Sequence, residues 1–282
     1  MMLMARIQLK TPSQIVAMRR AGLVVQKGLA TMSAVVAPGV TTAHIDAVGS
    51  TVLAEAGAKS NFLGYGAEWG IKPYPGVACV SPNEMVVHGI PSKRVLHDGD
   101  IVAIDFGAIV GGWHGDAART IAVGDNVSAE AKALIAATRE ATWVGIAALW
   151  GAVQISDVSA AIQRFVEHQP RRYGIVRDYT GHGIGTEMHM LPDIPNFGRP
   201  GRGPRISPGL VVCIEPILTL GKPDVAELDD DWTVATRDNS WAAHWENTVA
   251  VLEDGLWVLT EPDGGAAELA ARGVPLASIA RD

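Results

Sequence analysis

Two aspartates mark where chemistry could begin in this 282-residue chain. Asp105 lies in the apolar run IVAIDFGAIV, and Asp116 follows in WHGDAART. Gly111-Gly112 between them is a hairpin signal, because a tight two-residue turn calls for positive φ. Such a turn would place Asp105 opposite Ala118 and diagonal to Asp116. Alternation along each strand then puts both carboxylates on one face. Two carboxylates on one buried face repel, and a proton, a divalent cation or water relieves the repulsion. Taken alone, the pair is better explained by one buried Asp bonded to backbone amides and one at the surface.

Two more acids shift that balance. Glu215 follows the apolar run GLVVCI and precedes Pro216, and Glu246 heads a second apolar run in WENTVAV. Unpaired acids are rarely fully buried. Four of them in core-type sequence call for a shared counter-ion, since separate pairings would need more basic residues than these runs contain. His182 sits in GHGIG, whose glycines let the backbone approach a ligand closely. A purely structural histidine fits the same pattern. GHGIG lacks the long following helix and the spacing of a dinucleotide loop. His189 lies in MHMLP and His88 in VVHGIP. One imidazole with four carboxylates suits two divalent ions sharing bridging acids. HExxH, thiol ligands and GxSxG are missing from the pattern, which sets aside zincin, structural-zinc and serine-hydrolase readings. Cys79 shows no sign of activation and reads as a small core residue or pocket wall.

These residues need elements to position them. Hydrophobic residues make up 48% and charged residues 19%, enough for a large core, while 31 glycines and 16 prolines argue against an all-helical bundle. Thr11-Pro12-Ser13-Gln14 opens a helix to about residue 34 with a cap and a first-turn proline. A second helix covers 42–56 and ends at Gly57. A long loop spans 59–76, strands cover 77–81, 101–110 and 113–123, and helices fill 128–150 and 156–169. Strands near 178–182, 210–219 and 245–252 then repeat the order. The repetition suggests an internal duplication around one shared core. A single catalytic domain over residues 1–282 is expected, with its core over about 8–260 and a partly mobile Ala- and Gly-rich tail at 261–282.

The formal net charge of −7 argues against a nucleic-acid partner. The one basic concentration, Arg199, Arg202 and Arg205, reads as a solvated loop. Two cysteines make no disulfide framework and suit a reducing compartment. The best apolar stretch, 131–154, is broken by Lys132, Arg139 and Glu140, so it does not span a bilayer cleanly. The opening MMLMARIQLK lacks a secretory pattern. A cytoplasmic monomer with no DNA or membrane partner is expected.

The order Asp105, Asp116, His182, Glu215, Glu246 resembles the five metal ligands of the pita-bread metallopeptidases. The surrounding words resemble one branch, the bacterial type I methionine aminopeptidases: KTPSQIVAMRRAG, NEMVVHGIP, DGDIVAIDFGA, WHGDAART, GHGIGTEMH, VVCIEP and WTVATRDNSWAAHWENT. The resemblance spans about residues 8–260. It implies an α+β pita-bread fold with two pseudo-symmetric halves and a central antiparallel sheet covered by helices. It implies removal of the initiator methionine from nascent polypeptide N-termini, with a small second residue preferred and the ribosome as a candidate partner. Two divalent ions per chain are implied, of Co, Mn, Fe, Zn or Ni. By the same resemblance Asp105 holds one ion, Asp116 and Glu246 bridge both, and His182 and Glu215 hold the other. Glu215 also shuttles protons. His189 polarises the scissile carbonyl and His88 bonds the scissile amide nitrogen. The methionine side chain is received by Tyr65, Tyr74, Cys79, Met188 and Trp232. Departures from the family pattern are an inserted stretch at 66–72, Met188 for a usual aromatic, His244 near a usual Gln, Asn247 for a common His, and the Arg/Gly/Pro loop 198–205. The rival readings are an Xaa-Pro aminopeptidase of the same fold and a non-catalytic peptide-binding module.

Overall fold

The computed structural model describes residues 7–280, so most of the N-terminal stretch read for a secretory pattern lies outside the described residues. The chain builds two halves of like construction, each a helix pair packed on an antiparallel sheet. Helix α1 (Pro12–Ala34) starts where the cap signal predicts. The Thr11 hydroxyl accepts from the Gln14 N–H, and the Gln14 side chain accepts from the Thr11 N–H. Helix α2 (Thr42–Ala56) is capped by Thr41 and ends on Gly57. Helix α3 (Ala129–Ala148), capped by Ser128, and helix α4 (Ile155–Glu167) repeat the pair in the second half.

Each pair buries an apolar face. Val25, Leu29 and Met32 of α1 and Ile45 and Leu53 of α2 pack on Val102, Ile104 and Phe106. In the second half Leu134 and Ile146 of α3 and Val158 and Ile162 of α4 pack on Val212, Ile214 and Val249.

The strand Ile101–Val110 pairs with Trp113–Ala122 around Gly111 (φ 58) and Gly112 (φ 81), so both turn residues use the left-handed backbone that glycine tolerates. Asp105 lies opposite Ala118 and Asp116 opposite Gly107, the register expected from the sequence. In the second half five strands run in the order Gly255–Val258, Asn247–Leu252, Val211–Ile214, Gly181–Gly183, Met190–Ile194.

Three expectations need correction. The strand expected at 210–219 is two strands in two sheets: Val211–Ile214 pairs with Asn247–Ala250, and Ile217–Thr219 pairs with Ala242–His244. Pro216 lacks the N–H that would continue the first ladder. The loop expected over 59–76 begins as an edge strand, with Lys59 and Ser60 paired to Ile109 and Ala108. The tail expected to be partly mobile packs among its described residues, with a helix at Ala266–Ala271 and Leu269 and Ala277 in the core. The exposed 198–205 loop agrees with a solvated reading of its arginines.

Candidate metal centre and substrate pocket

Asp105 and Asp116 come from one face of the first-half hairpin. The glutamates come from the second half by a parallel device. Ile214 pairs with Asn247, and Ile217 pairs with His244. The same register carried across the gap sets Glu215 against Glu246. Oxygens of Asp105, Asp116 and Glu246 lie within 4.8 Å of one another. The ligand atoms of Glu215, His244 and Glu246 form a second such group, and those of His182, Cys213 and Glu246 a third. Glu246 belongs to all three.

His182 Nε2 stands 3.3 Å from Glu215 Oε1, and its Nδ1 stands 3.0 Å from the Gly183 carbonyl. That carbonyl only accepts, so a neutral ring carries its proton on Nδ1 and turns the Nε2 lone pair to the acids. A Cβ at Gly181 would lie 2.4 Å from the Cys213 carbonyl oxygen, and one at Gly183 would lie 2.2 Å from that of Leu191. Glycine at both positions is what lets the His182 strand sit this close to its neighbours.

The cluster is electrostatically incomplete. Asp116 and Glu246 are only 3% and 2% exposed. All four acids have a buried oxygen with no hydrogen-bond partner: Asp105 Oδ1, Asp116 Oδ1, Glu215 Oε1 and Glu246 Oε1. Such groups cost free energy unless something satisfies them. Burial, then repulsion from Glu246, Asp105 and Glu215, pushes the Asp116 carboxyl well up. Burial, then Glu215 and Asp105, does the same to Glu246, and burial, then Asp105, does so to Glu215. Burial raises Asp105 to about 6. Burial, then the neighbouring His189, lowers His182 to about 3, so it offers a lone pair and no compensating charge. The buried Arg119 guanidinium is committed elsewhere, to the carbonyls of Ala118 and Glu246, to Asn247 Oδ1 and to Glu261 Oε1. Four oxygens with free lone pairs and an imidazole fit hard or borderline divalent cations.

A cavity of about 250 Å³ lies over this cluster. One of its sides is an apolar group of Phe62, Tyr74, Cys79 and Met188, with Tyr65, Ile90 and Trp232 packed against it. All five residues expected to receive a methionine side chain are therefore together. The Tyr74 hydroxyl donates to the carbonyls of Gly89 and Ala78, which turns its polar end to the backbone. Burial, then Asp105, pushes the Cys79 thiol well up, so it stays neutral and non-nucleophilic. His88 lines the same cavity with a strained φ of 57, its ring edge-on to Tyr179 at 5.3 Å. His189 Nδ1 meets the Tyr65 hydroxyl at 2.6 Å, and its ring stands edge-on to His182 at 4.4 Å.

Residues 16–253 match metallopeptidase family M24. The chain belongs to that family. It is 46% identical over 255 residues to the methionine aminopeptidase of Clostridium acetobutylicum, covering 90% of this chain and 98% of that protein. It is 47% identical over 256 residues to methionine aminopeptidase 1 of Mycobacterium tuberculosis, covering 89% and 94%. The crystal structure of methionine aminopeptidase from Thermotoga maritima matches with a TM-score of 0.86 at 38% identity, covering 91% of this chain and all 100% of that one. The M24 pita-bread fold expected from the sequence is thus observed. The Pyrococcus furiosus prolidase, at 19% identity and a TM-score of 0.67, shares the fold alone. The Xaa-Pro alternative is not favoured.

Beside the five expected ligands, the structure places residues to which sequence reasoning gave no site role. His244 is 2% exposed with Nε2 3.7 Å from Glu215 Oε2. The sequence marked it only as a departure near a usual Gln, two residues before Glu246. Thiols were left out of the ligand pattern, but Cys213 lies against His182 and Glu246. Burial, then Glu246, holds that thiol protonated, so it remains a poor ligand. Phe62 and Tyr179 also line the cavity. Phe62 carried no signal beyond being aromatic in a loop, and Tyr179 fell in a strand expected near 178–182 that begins only at Gly181. Among the described residues no helix is long and apolar enough to cross a membrane.

Proposed function

We infer that this chain is a methionine aminopeptidase, releasing the N-terminal methionine from nascent polypeptides whose second residue is small. The observation that carries the reading is the set of four buried, unpartnered carboxylate oxygens beside an apolar cluster that walls one side of the cavity. The relatives at 46% and 47% identity, matched over nearly their whole lengths, support the same activity. Asp105, Asp116, His182, Glu215 and Glu246 are the proposed residues that would hold two divalent ions. When bound, such ions supply Lewis-acid polarisation and lower the pKa of a water, so the attack needs no strong base.

The chain's own groups do the rest. Tyr65, Tyr74, Cys79, Met188 and Trp232 receive the methionine side chain; a thioether suits an apolar slot with aromatic edges. With the Tyr65 hydroxyl as donor to His189 Nδ1, the neutral ring's proton is on Nε2, where it would bond the scissile carbonyl oxygen as negative charge develops there. Tyr65 thus both walls the slot and sets the tautomer. His88, lowered to about 4 by burial first, stays neutral at pH 7 and bonds the scissile amide nitrogen. Glu215 would take a proton from the attacking water and pass it to the leaving amine. The proposed setting is the cytoplasm, with emerging N-termini as substrates.

The test is peptide cleavage by chelator-treated protein after adding back Mn, Co, Fe, Zn or Ni singly. Free methionine released from Met-Ala-Ser only after add-back is expected. Release from Xaa-Pro peptides without methionine release would overturn the reading, and a protein binding none of these ions would point to a peptide-binding module.

A further inference from the structure

We propose that the inserted stretch 66–72 builds a downstream subsite that selects peptides with a basic third residue; this rests on the aminopeptidase reading above. A second cavity of about 470 Å³ adjoins the reaction pocket and shares Tyr65, Met188 and His189 with it as lining residues. The methionine side chain is held on one side of His189, so the chain beyond the scissile bond leaves on another. The neighbouring cavity, meeting the reaction pocket at those three residues, is the route assigned to it. Its far side comes from the insertion. Gly66 and Gly70, both at positive φ, bracket a single 3-10 turn, Ala67–Trp69, that brings Glu68 and Trp69 to the cavity. Trp69 stands edge-on to Tyr65 at 4.9 Å. The base of the insertion is tied down where Trp232 Nε1 donates to the Lys72 carbonyl.

The charge of this cavity is one-signed. Glu68 on the insertion and Glu187 on the loop before His189 both line it, and no Lys or Arg does. Lys72 pairs with Asp231 at 3.5 Å and points its charge there. The other titratable groups that line it are His114, His189 and Tyr65. An aliphatic stem against the Trp69 ring with its cation between two carboxylates describes a lysine or arginine side chain. The second residue, kept small, passes His189, and the third is the one placed in this cavity.

The experiment compares kcat/KM for Met-Ala-Lys and Met-Ala-Glu peptides in the metal-loaded enzyme, its Glu68→Gln/Glu187→Gln variant and its Trp69→Ala variant. The lysine peptide should be favoured by about 5-fold at low ionic strength, carried by KM and fading at high salt, the scale of two exposed charge pairs. In the double variant the ratio should fall to near 1, and Trp69→Ala should weaken the lysine peptide alone. A wild-type ratio near 1, or a preference that survives in the double variant, overturns the subsite. Ratios within each protein cancel any general loss. Failure of the wild type to release methionine from Met-Ala-Ser sinks the underlying activity instead, and this subsite with it.

Discussion

Changing Glu246 to Gln should move stability and activity in opposite directions. In the ion-free protein the oxygens of Asp105, Asp116 and Glu246 lie within 4.8 Å of one another. Two unit charges at that separation repel by about 3.5 kcal/mol at an effective dielectric near 20. Taking up a proton caps the penalty, because keeping a glutamate neutral at pH 7.5 costs about 1.4 kcal/mol per pH unit above its unfolded value, roughly 4 kcal/mol in all. Glutamine has nearly the same shape and needs no proton. Its amide is imperfectly satisfied there and takes back about 1–2 kcal/mol. The chelated variant should therefore be more stable than chelated wild type by about 2 kcal/mol, or about 4–8 °C in Tm. With ions added the order reverses. Wild type gains about 2.7 kcal/mol at a hundredfold excess over Kd, while the variant has lost the one acid common to all three candidate groups. The assay is four thermal melts, each protein with chelator and with excess Mn, alongside methionine release from Met-Ala-Ser. A chelated variant that melts below chelated wild type would show that the acids do not oppose one another, and the argument for a required cation would fail.

Three further outcomes follow from the same geometry. His189→Ala should lower kcat by about 10²–10³, the scale of a lost oxyanion donor, and Tyr65→Phe should lower it less by freeing the tautomer; unchanged turnover in His189→Ala removes the role. His88→Ala should cost about 10²–10⁴ in kcat, read in single-turnover kinetics with ion affinity measured separately, and full activity would rule the contact out. Ion affinity should fall steeply between pH 7.5 and 5.5, because acids raised by folding, Asp105 to about 6, hold protons that the ion must displace. The sign is that of acids binding more protons folded than unfolded: their cost to the ion-free fold shrinks as pH falls through this window. Calorimetry in buffers of differing ionisation enthalpy counts the released protons, and ion binding without proton release at pH 6.5 would contradict the raised values.

Much of the site was legible because it rests on short-range rules. The two glycines at 111–112 fix a turn, the turn fixes the register, and the register places Asp105 and Asp116 on one face, as observed. The caps at Thr11 and Gly57 likewise set helix ends within the sequence itself. The convergence of Glu215 on Glu246 was harder. It depends on a ribbon that changes sheets at Pro216, and a run of apolar residues on both sides of that proline reads as one strand. His244 and Cys213 were passed over for a related reason: nothing local distinguishes a core histidine or thiol from one facing a cluster assembled over a hundred residues away. The aromatic slot was reached through family resemblance, and Phe62 fell outside it because loop residues obey no period. The tail was misjudged on composition; Leu269 and Ala277, few among many Ala and Gly, suffice to anchor it.

Four repelling acids are held together by backbone, and that is why the site lies at the seam between the halves. Each half brings an acid pair on an antiparallel ribbon, and polar contacts join the ribbons. The Glu246 N–H donates to the Ala118 carbonyl at 2.9 Å, the Asp116 N–H donates to Thr248 Oγ1 at 3.1 Å, and that hydroxyl returns a bond to the Asp116 carbonyl at 2.7 Å. Thr120 does the same for His244, donating to its carbonyl and accepting from its N–H. Arg119 adds a buried cation that grips the Glu246 carbonyl and leaves the carboxylate free. These bonds use no ligand oxygen, so positioning and coordination do not compete. Neither half carries a complete ligand set. The centre can form only when the seam closes, and an ion bound across it stabilises the closed seam in return.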